Sequence, residues 1–529
     1  MDKLLLFIGV VLLVCSLLKK LSGRVGVPSL LLFIVLGMLM GSDGIFKIAF
    51  DDYEIARDVA TLALIFIMFT GGFETNLRSA RPIISKAVLL SSVGTILTAL
   101  LIGVFAHFFL GMTLLEGLLC GAVLASTDAA SVFSILRSRK LALKEDTAPL
   151  LEVESGSNDP FAYMLTVVIL VAMGSSVSVG DIAAVLFGQL FFGLAFGFGI
   201  GLIAKVIMQN YRFDTSGIES IFILAVILAS YAGCSLLSGN GFLAVYIIGI
   251  ILGNAKLKEN VVLVPFFDGI TTNMQAILFF LLGILSFPSR MLDVFWVAIA
   301  IMIFMTLIAR PAVVFLLLAP FGGSKAQKIL VSFSGLRGAA SIVFAIQAVL
   351  DPAYLDHDIF HIVFIVVLLS ITLQGTLLPY VARRLKMIDE KDDVLRTFTD
   401  YVEEKPVNYI EFAIAEGHAY EGKMIKDITL PPSSLIVNIK RADKDIIPNG
   451  DTVLLKDDRV MLSALKRADD DFTLKEKVIT KDDIKSGNKI KDIARDNCLI
   501  VMIQRMDKYI VPDGDTVLEI GDKIFINHE

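Results

Sequence analysis

The most unusual polar residues of this 529-residue chain lie at the start of a long apolar run. Residues 154–159 read Glu-Ser-Gly-Ser-Asn-Asp, and the residues that follow are almost all apolar. On a helix, Glu154 and Asn158 share one face, while Ser155 and Asp159 share the neighbouring face. Hard cations bind to such oxygens, and a carboxylate can hold either a cation or a proton. The segment therefore predicts a cation or proton site centred on Asp159.

Two other apolar runs are interrupted in the middle by polar residues. Residues 125–131 read Ala-Ser-Thr-Asp-Ala-Ala-Ser and contain Thr127 and Asp128, and residues 334–341 read Ser-Gly-Leu-Arg-Gly-Ala-Ala-Ser and contain Arg337. Interrupted helices at corresponding positions of two halves are typical of ion sites in secondary transporters. A charge inside a membrane is costly unless it is paired or hydrated, so Asp128 and Arg337 are both candidates for function.

The residues alone leave structural explanations open. Glu154 and Arg337 either form an ion pair that only neutralises itself, or belong to the ion site. Asn158 is either a helix-packing amide or a group that orients the site. A structural role explains Asp159 less well, because several acids compete for one basic residue deep in the neighbouring runs. Two further intramembrane charges are expected to be structural: Asp268 and Arg310.

In combination, four motifs resemble the monovalent cation/proton antiporter superfamily, and more narrowly its NhaP-like electroneutral branch, the potassium/proton antiporters. The resemblance covers about residues 1–386. The motifs are Asn158-Asp159 behind Glu154-Ser155, Thr127-Asp128 in an interrupted helix, Phe-Thr-Gly-Gly-Phe-Glu at 69–74, and Gly-Leu-Arg-Gly at 335–338.

This resemblance implies six-helix inverted repeats plus a dimer-forming panel, with the fifth and twelfth helices broken and crossing. It implies that Asp159 carries the exchanged proton or cation, which is K⁺ or Na⁺. It also implies that Glu154 pairs with Arg337 and that Asn158 orients that pair. Because Asn158 cannot ionise, a single titrating carboxylate predicts one proton per cation. The other residues implied to help line the ion site are Thr127, Asp128 and Ser155.

Hydropathy indicates the elements that must hold these residues. The chain has 56% hydrophobic residues and a mean hydropathy of +0.76, which argues against a large soluble globule and excludes disorder. About thirteen apolar runs long enough for a bilayer follow one another between Leu4 and Tyr380. We therefore expect a polytopic α-helical membrane protein whose first run is retained rather than cleaved.

The loop charges predict the orientation. Basic residues concentrate on one set of alternate loops, which marks that side as cytoplasmic. The first helix then begins outside, and the chain after Lys386 is cytoplasmic. The basic residues of the opposite loops are only four: Lys3, Lys47, Arg57 and Arg290.

More than half of the 100 charged residues follow Lys386. We expect a charged linker at 387–404 and two copies of a small α+β module at 405–468 and 469–529, because two motifs occur twice. Each copy has a basic residue after a strand, Arg441 or Arg505. The repeated motifs are residues 422–428 with 487–493 and residues 447–454 with 511–518.

The two modules resemble the C-terminal regulator-of-potassium-conductance domain, or TrkA-C domain. Some of these domains bind cyclic di-AMP at a dimer interface, which makes Arg441 and Arg505 candidate ligand residues. A dimerisation module without a ligand is the alternative. No Gly-x-Gly-x-x-Gly motif follows a strand in the tail, and the four cysteines have no metal spacing, so we expect no nucleotide cofactor and no zinc site.

These observations predict a homodimeric antiporter of the cell membrane (the inner membrane in bacteria), not an enzyme. It would exchange a monovalent cation, K⁺ rather than Na⁺, for H⁺ under control of its tail. A Na⁺/H⁺ antiporter is the nearest alternative. A potassium channel is disfavoured because the sequence lacks a Thr-x-Gly-Tyr-Gly filter. A ligand sensor without transport leaves the intramembrane charges unexplained.

Overall fold

A computed structural model describes residues 2–389 apart from 26–28, 140, 175–176, 212–216, 256, 258–259 and 354–356, together with parts of the tail. Most of the expected linker, 387–404, lies outside the described residues, as do parts of the second copies of both repeated motifs. The described tail residues are 407–431, 434–441, 444–465, 475–479, 489–490, 498–505, 508–510, 512 and 516–528.

Helices make up nearly all of the described membrane half. Nine of them are long and apolar enough to cross a bilayer, and three shorter apolar helices and the N-terminal helix bring the set to thirteen in the described residues. They are α1 Asp2–Val25, α2 Ser29–Met40, α3 Tyr53–Glu74, α4 Ile84–Leu110, α5a Leu114–Ala125, α5b Ala129–Ser138, α6 Thr147–Met173, α7 Val179–Asn210, α8 Ile218–Leu236, α9 Gly241–Gly253, α10 Asn260–Leu285, α11 Pro288–Leu317, α12a Lys325–Phe333, α12b Ala339–Val349 and α13 Ile359–Arg384.

Short polar side chains determine where several of these helices begin. A side-chain oxygen before the first turn accepts a backbone N–H that otherwise has no partner. Thr113 with Glu116 and Ser178 with Asp181 form full capping boxes at α5a and α7. Single caps begin four more helices: Asp52 at α3, Asn240 at α9, Ser324 at α12a and Asp358 at α13.

The helices α4–α6 and α11–α13 form two sets with similar irregularities, although α13 has a further π-helical turn at Ser370–Gln374 that α6 lacks. A π-helical turn interrupts α4 at Leu90–Gly94 and α11 at Met305–Ala309, and in each set the next helix is broken. Single π turns inside α-helices are rare and often accompany functional sites. The recurrence agrees with the predicted repeats. We call these six helices the crossing group.

The remaining helices, α1–α3 and α7–α10, pack through glycines and are called the panel group. Gly37 of α2 lies against the backbone of α10, and Gly249 of α9 lies against the backbone of α3, so neither position has room for a Cβ. Gly193, Gly197 and Gly201 of α7 also pack closely, because all three lie against side chains of α9.

In the described tail, two four-stranded sheets have equivalent strand orders, β3-β6-β4-β5 and β7-β10-β8-β9. All strand pairs are antiparallel, and each sheet has one β-bulge between its long inner strands. This agreement supports a duplicated module. The strands are β3 Val407–Ala413, β4 Ser434–Arg441, β5 Lys444–Ile446, β6 Arg459–Leu465, β7 Lys475–Val478, β8 Cys498–Arg505, β9 Lys508–Ile510 and β10 Lys523–His528.

A short strand pair lies at the end of the membrane half. β1, Ala142–Leu143, follows α5b, and β2, Ile388–Asp389, follows α13. The backbone N of Lys144 also donates to the carbonyl of Met387 at 2.9 Å. The chain leaving α13 is thereby attached to the loop between α5b and α6.

Candidate ion-binding site

The two helix breaks lie against each other, as the resemblance implies. The backbone N of Asp128 donates to the carbonyl of Leu336 at 2.8 Å. Arg337 Nη1 donates to the carbonyls of Ala125 and Ser126 at 2.9 and 2.8 Å. The last carbonyls of a helix lack intrahelical partners, so Arg337 satisfies the end of α5a. Two broken helices are therefore held together by one buried guanidinium.

Asp128 begins α5b. Its Oδ1 accepts from the backbone N of Ser131 at 3.1 Å, and its Oδ2 accepts from the Ser131 hydroxyl at 2.5 Å. Gly338 packs so closely on this carboxylate that a Cβ would overlap it. Asp128 thus acts as a helix cap beside the site, and a helix N-terminus stabilises its negative charge.

Asp159 lies on α6, faces the break in α5 and is only 7% exposed. Its Oδ1 accepts a hydrogen bond from the Ser126 hydroxyl. Ser126 is not among the site residues predicted from the sequence, although it directly precedes Thr127 in the interrupted run. A hydroxyl in that interruption was the signal that could have found it.

Ser155 and Asn158 fix the break in α5 to α6. The Ser155 hydroxyl donates to the carbonyl of Thr127 at 2.8 Å and accepts from the backbone N of Ala129 at 2.8 Å. Asn158 Nδ2 donates to the Thr127 hydroxyl at 2.5 Å. Thr127, Ser155 and Asn158 are therefore brought together beside Asp159. In the described part of the chain, the side-chain hydrogen bonds of Asn158 go to Thr127 and not to the ion pair that it was expected to orient.

The expected pairing of Glu154 with Arg337 is wrong. Glu154 pairs with Arg310 of α11 at 2.5 Å between Oε1 and Nη2, and the two side chains are 1% and 4% exposed. The physical reason is that Arg337 is held by the carbonyls at the end of α5a, while Glu154 faces α11. Arg310, predicted to be structural, is the partner of the most buried acid of α6.

A cavity of about 490 Å³ reaches Asp159 from one side. It lies between the two helix groups and extends toward the C-terminal ends of α1 and α3, where Lys19 and Glu74 line it. Asp268, predicted to be structural, also lines it. The carboxylates along its wall are Asp159, Asp128, Glu152, Glu74 and Asp268.

The donor set suits a hard monovalent cation. Asp159 supplies a carboxylate, and Ser126 and Thr127 supply hydroxyl oxygens from the break in α5. Among the residues described, no cluster of three His, Cys, Asp or Glu side chains is arranged to hold a metal ion. A single carboxylate of this kind can bind either a proton or a cation, and it cannot bind both at once.

The two tail arginines have equivalent buried partners. Arg441 donates from Nε and Nη2 to the carboxylate of Asp458, both at 2.7 Å, and also to the carbonyl of Val453. Arg505 makes the same bonds to Asp522 and to the carbonyl of Val517. Both aspartates are buried. Each pair of bonds from one arginine to one aspartate, called a fork below, holds the turn before the last strand of its module. Ligand binding by the arginines stays a prediction.

The fork makes the first module sensitive to acid and to loss of Arg441. Hydrogen bonds from Arg441 lower the pKa of Asp458 below its usual range. A lowered folded-state pKa stabilises the module above the unfolded pKa, near 4, and this contribution is lost as the pH falls through the folded value. Arg441→Gln should therefore cost about 2 kcal/mol at neutral pH.

Hydrogen exchange of the full-length protein measures this effect through the amides of β4 and β6. Arg459→Gln, which removes an exposed arginine one residue after Asp458, is the matched control and should change exchange little. Equal protection in both variants at neutral pH would contradict the proposed contribution of the fork.

Comparisons with known proteins agree with the fold described above. The transmembrane sodium/hydrogen exchanger family model matches residues 9–384, and the TrkA-C domain model matches residues 409–470. The structure of the sodium proton antiporter MjNhaP1 from Methanocaldococcus jannaschii superimposes with a TM-score of 0.62. It covers 73% of this chain and 99% of that chain at 24% identity, which supports the fold alone.

Curated relatives match over most of both chains. The K⁺/H⁺ antiporter NhaP of Alkalimonas amylolytica is 32% identical over 87% of this chain and 80% of its own length. The K⁺/H⁺ antiporter NhaP2 of Shewanella sp. (strain MR-4) is 34% identical over 84% of this chain and 79% of its own. The Na⁺/H⁺ antiporter ApNhaP of Aphanothece halophytica is 26% identical over 76% of this chain. With its crossing helices and central aspartate, this chain belongs to the sodium/hydrogen exchanger family.

Proposed function

We propose that this protein is a secondary active antiporter that exchanges a monovalent cation, preferably K⁺, for H⁺ across the cell membrane. The observation that carries the proposal is Asp159, a buried carboxylate between two broken helices at the end of an open cavity. Cation and proton compete for this carboxylate, so each can cross only after the other has left. Movement of one helix group against the other would then present the site to either side.

The charge balance supports a one-for-one exchange. Glu154 and Arg310 neutralise each other, which leaves Arg337 with Asp128 and Asp159 around the break. If both aspartates are ionised, these three groups carry one net negative charge. One monovalent cation or one proton makes the set neutral, and a neutral set crosses a low-dielectric region at least cost. Both loaded forms are thus neutral, and the empty form is not.

The preference for K⁺ rests on the relatives. The two named K⁺/H⁺ antiporters are 32% and 34% identical to this chain, whereas the named Na⁺/H⁺ antiporter is 26% identical. The TrkA-C match is a second argument, because the resemblance connects such domains with potassium transport. Na⁺/H⁺ exchange is the second candidate function, since oxygen ligands alone suit both ions.

We place the amino terminus outside and the tail in the cytoplasm. The loop charges support this orientation, and the cavity extends toward the ends of α1 and α3 that it assigns to the cytoplasmic side. The observed arrangement would then be open to the cytoplasm. The proposal also includes the homodimer that the family resemblance implies.

The proposal includes regulation by the tail. The TrkA-C match supports a regulatory ligand, with cyclic di-AMP as the candidate. Arg441 and Arg505 already bind buried aspartates, so a ligand at these positions would approach only the exposed part of each guanidinium. Calorimetry of the full-length protein with cyclic di-AMP should give a saturable heat. No heat would favour a tail that serves only dimerisation or stability.

Transport in everted vesicles tests the main proposal. A pH gradient across the vesicle membrane should collapse when K⁺ is added, less readily with Na⁺, and at the same rate at two membrane potentials. A rate that changes with potential would contradict one-for-one exchange. A gradient that persists with every monovalent cation would contradict antiport itself.

A further inference from the structure

The cavity separates the two helix groups on one side of Asp159, but the groups remain in contact on the other side. Asp159 and Ala340 line the cavity from the crossing group, whereas Lys19 and Asp268 line it from the panel group. In secondary transporters built from repeats, alternating access requires one group to move relative to the other around the site. Polar contacts that join the groups next to Asp159 therefore stabilise one orientation of the site.

Asn240 makes such a contact. Its backbone N donates to the carbonyl of Gln189 on α7 at 3.1 Å, and its Oδ1 accepts from the backbone N of Leu243 at 3.0 Å. These bonds fix Asn240 to the panel group. Its Nδ2 crosses to the other group and donates to the carbonyl of Pro160 at 2.8 Å. Pro160 directly follows Asp159, and Asn240 is only 1% exposed.

A second contact joins α9 to α6 just before Asp159 in the chain, whereas Pro160 lies just after it. The Ser157 hydroxyl donates to the hydroxyl of Tyr246 at 3.2 Å. Gly156 packs on the Tyr246 ring, where a Cβ would lie 2.9 Å from Cε2. Because Pro160 has no N–H to donate, α6 lacks one internal hydrogen bond beside the site. The orientation of the α6 turn that contains Asp159 therefore depends more strongly on bonds from other helices.

We propose that Asn240 is a positioning residue for transport, whose bond to the Pro160 carbonyl holds Asp159 toward the cavity and is released when the site turns to the opposite side. This inference rests on the proposed exchange. A typical net hydrogen bond made in only one orientation changes the ratio of the two orientations about five-fold. Losing it raises the KM for a cation offered from the cavity side relative to the KM from the other side.

Asn240→Ser tests the proposal because serine still caps α9 but does not reach Pro160. Asn254→Ser is the matched control at the other end of α9. It removes bonds from Nδ2 to the carbonyls of Thr75, directly after α3, and Ile250 of α9. These bonds lie within the panel group and do not reach the crossing group. Ser157→Ala removes the second contact between the groups. The KM for K⁺ is measured in everted and in right-side-out vesicles.

In Asn240→Ser the ratio of the everted to the right-side-out KM should rise about five-fold, with Asn254→Ser unchanged. Ser157→Ala should shift the ratio in the same direction, and it serves as the test if Asn240→Ser does not accumulate. An unchanged ratio in the tested variant overturns the inference, as does an equal loss of maximal rate from both sides. Absent exchange in the unmodified protein would instead contradict the proposed function.

Discussion

Asp159→Asn is expected to reduce cation-coupled proton flux in liposomes to the level of protein-free vesicles. The amide is nearly isosteric with the carboxylate, and its oxygen can still accept the hydrogen bond from Ser126. It carries no charge to balance a cation and binds no proton in the physiological range. The variant should therefore fold normally and lose both halves of the exchange.

Asp268→Asn is the matched control for this prediction. Asp268 lines the same cavity from α10, is only half-buried and has no polar partner from the helix breaks among the contacts described. The same substitution there should leave exchange largely intact, because the charge lies where water reaches it. Full proton-coupled flux with Asp159→Asn, or equal losses in both variants, would show that Asp159 is not the exchanging carboxylate.

The elements that hold this site could be predicted because hydropathy acts along the chain. About thirteen apolar runs and two polar interruptions are visible in the sequence, and the described helices and helix breaks lie at those positions. The polar interruptions at Asp128 and Arg337 indicated the two breaks that meet. Helix ends are less visible in hydropathy, since α3 starts at Tyr53 and its first two turns contain Glu54, Arg57 and Asp58.

The partners within the site could not be predicted in the same way. Which arginine reaches Glu154 depends on how α6 rotates against α11 and α12, and residue spacing along one helix does not contain that information. The sequence predicted one basic residue deep in the neighbouring runs, whereas the packing buries two, Arg310 and Arg337. Ser126 was missed for a related reason, because its hydroxyl reaches Asp159 only after α5 breaks.

The tail shows the limit of self-similarity as a signal. The repeated motifs predicted two modules, and the two sheets have matching strand orders. Repetition also selected Arg441 and Arg505, but it could not distinguish a residue that binds a ligand from one that holds a turn. Asp458 and Asp522 occupy equivalent positions before the last strands, and pairing with them accounts for the repetition of both arginines.

The second large effect is expected at the buried ion pair of α6 and α11. Arg310→Gln leaves the carboxylate of Glu154 without its partner in a place where water does not reach it, since Glu154 is 1% exposed. Removing one member of such a pair typically costs about 3–5 kcal/mol, because the remaining charge is uncompensated. Melting of the purified protein in detergent should show this as a large fall in midpoint, and exchange should fall with it.

The double variants decide which arginine is the partner of Glu154. Glu154→Gln with Arg310→Gln removes both charges together, so most of the stability lost in Arg310→Gln should return. Glu154→Gln with Arg337→Gln should recover little, because the bonds from Arg337 to the carbonyls of Ala125 and Ser126 are lost whatever residue 154 is. Better rescue of the Arg337 variant would restore the pairing that the family resemblance implies. Rescue at Arg310 alone would instead separate two roles, with one arginine neutralising α6 and the other holding the broken helices together around Asp159.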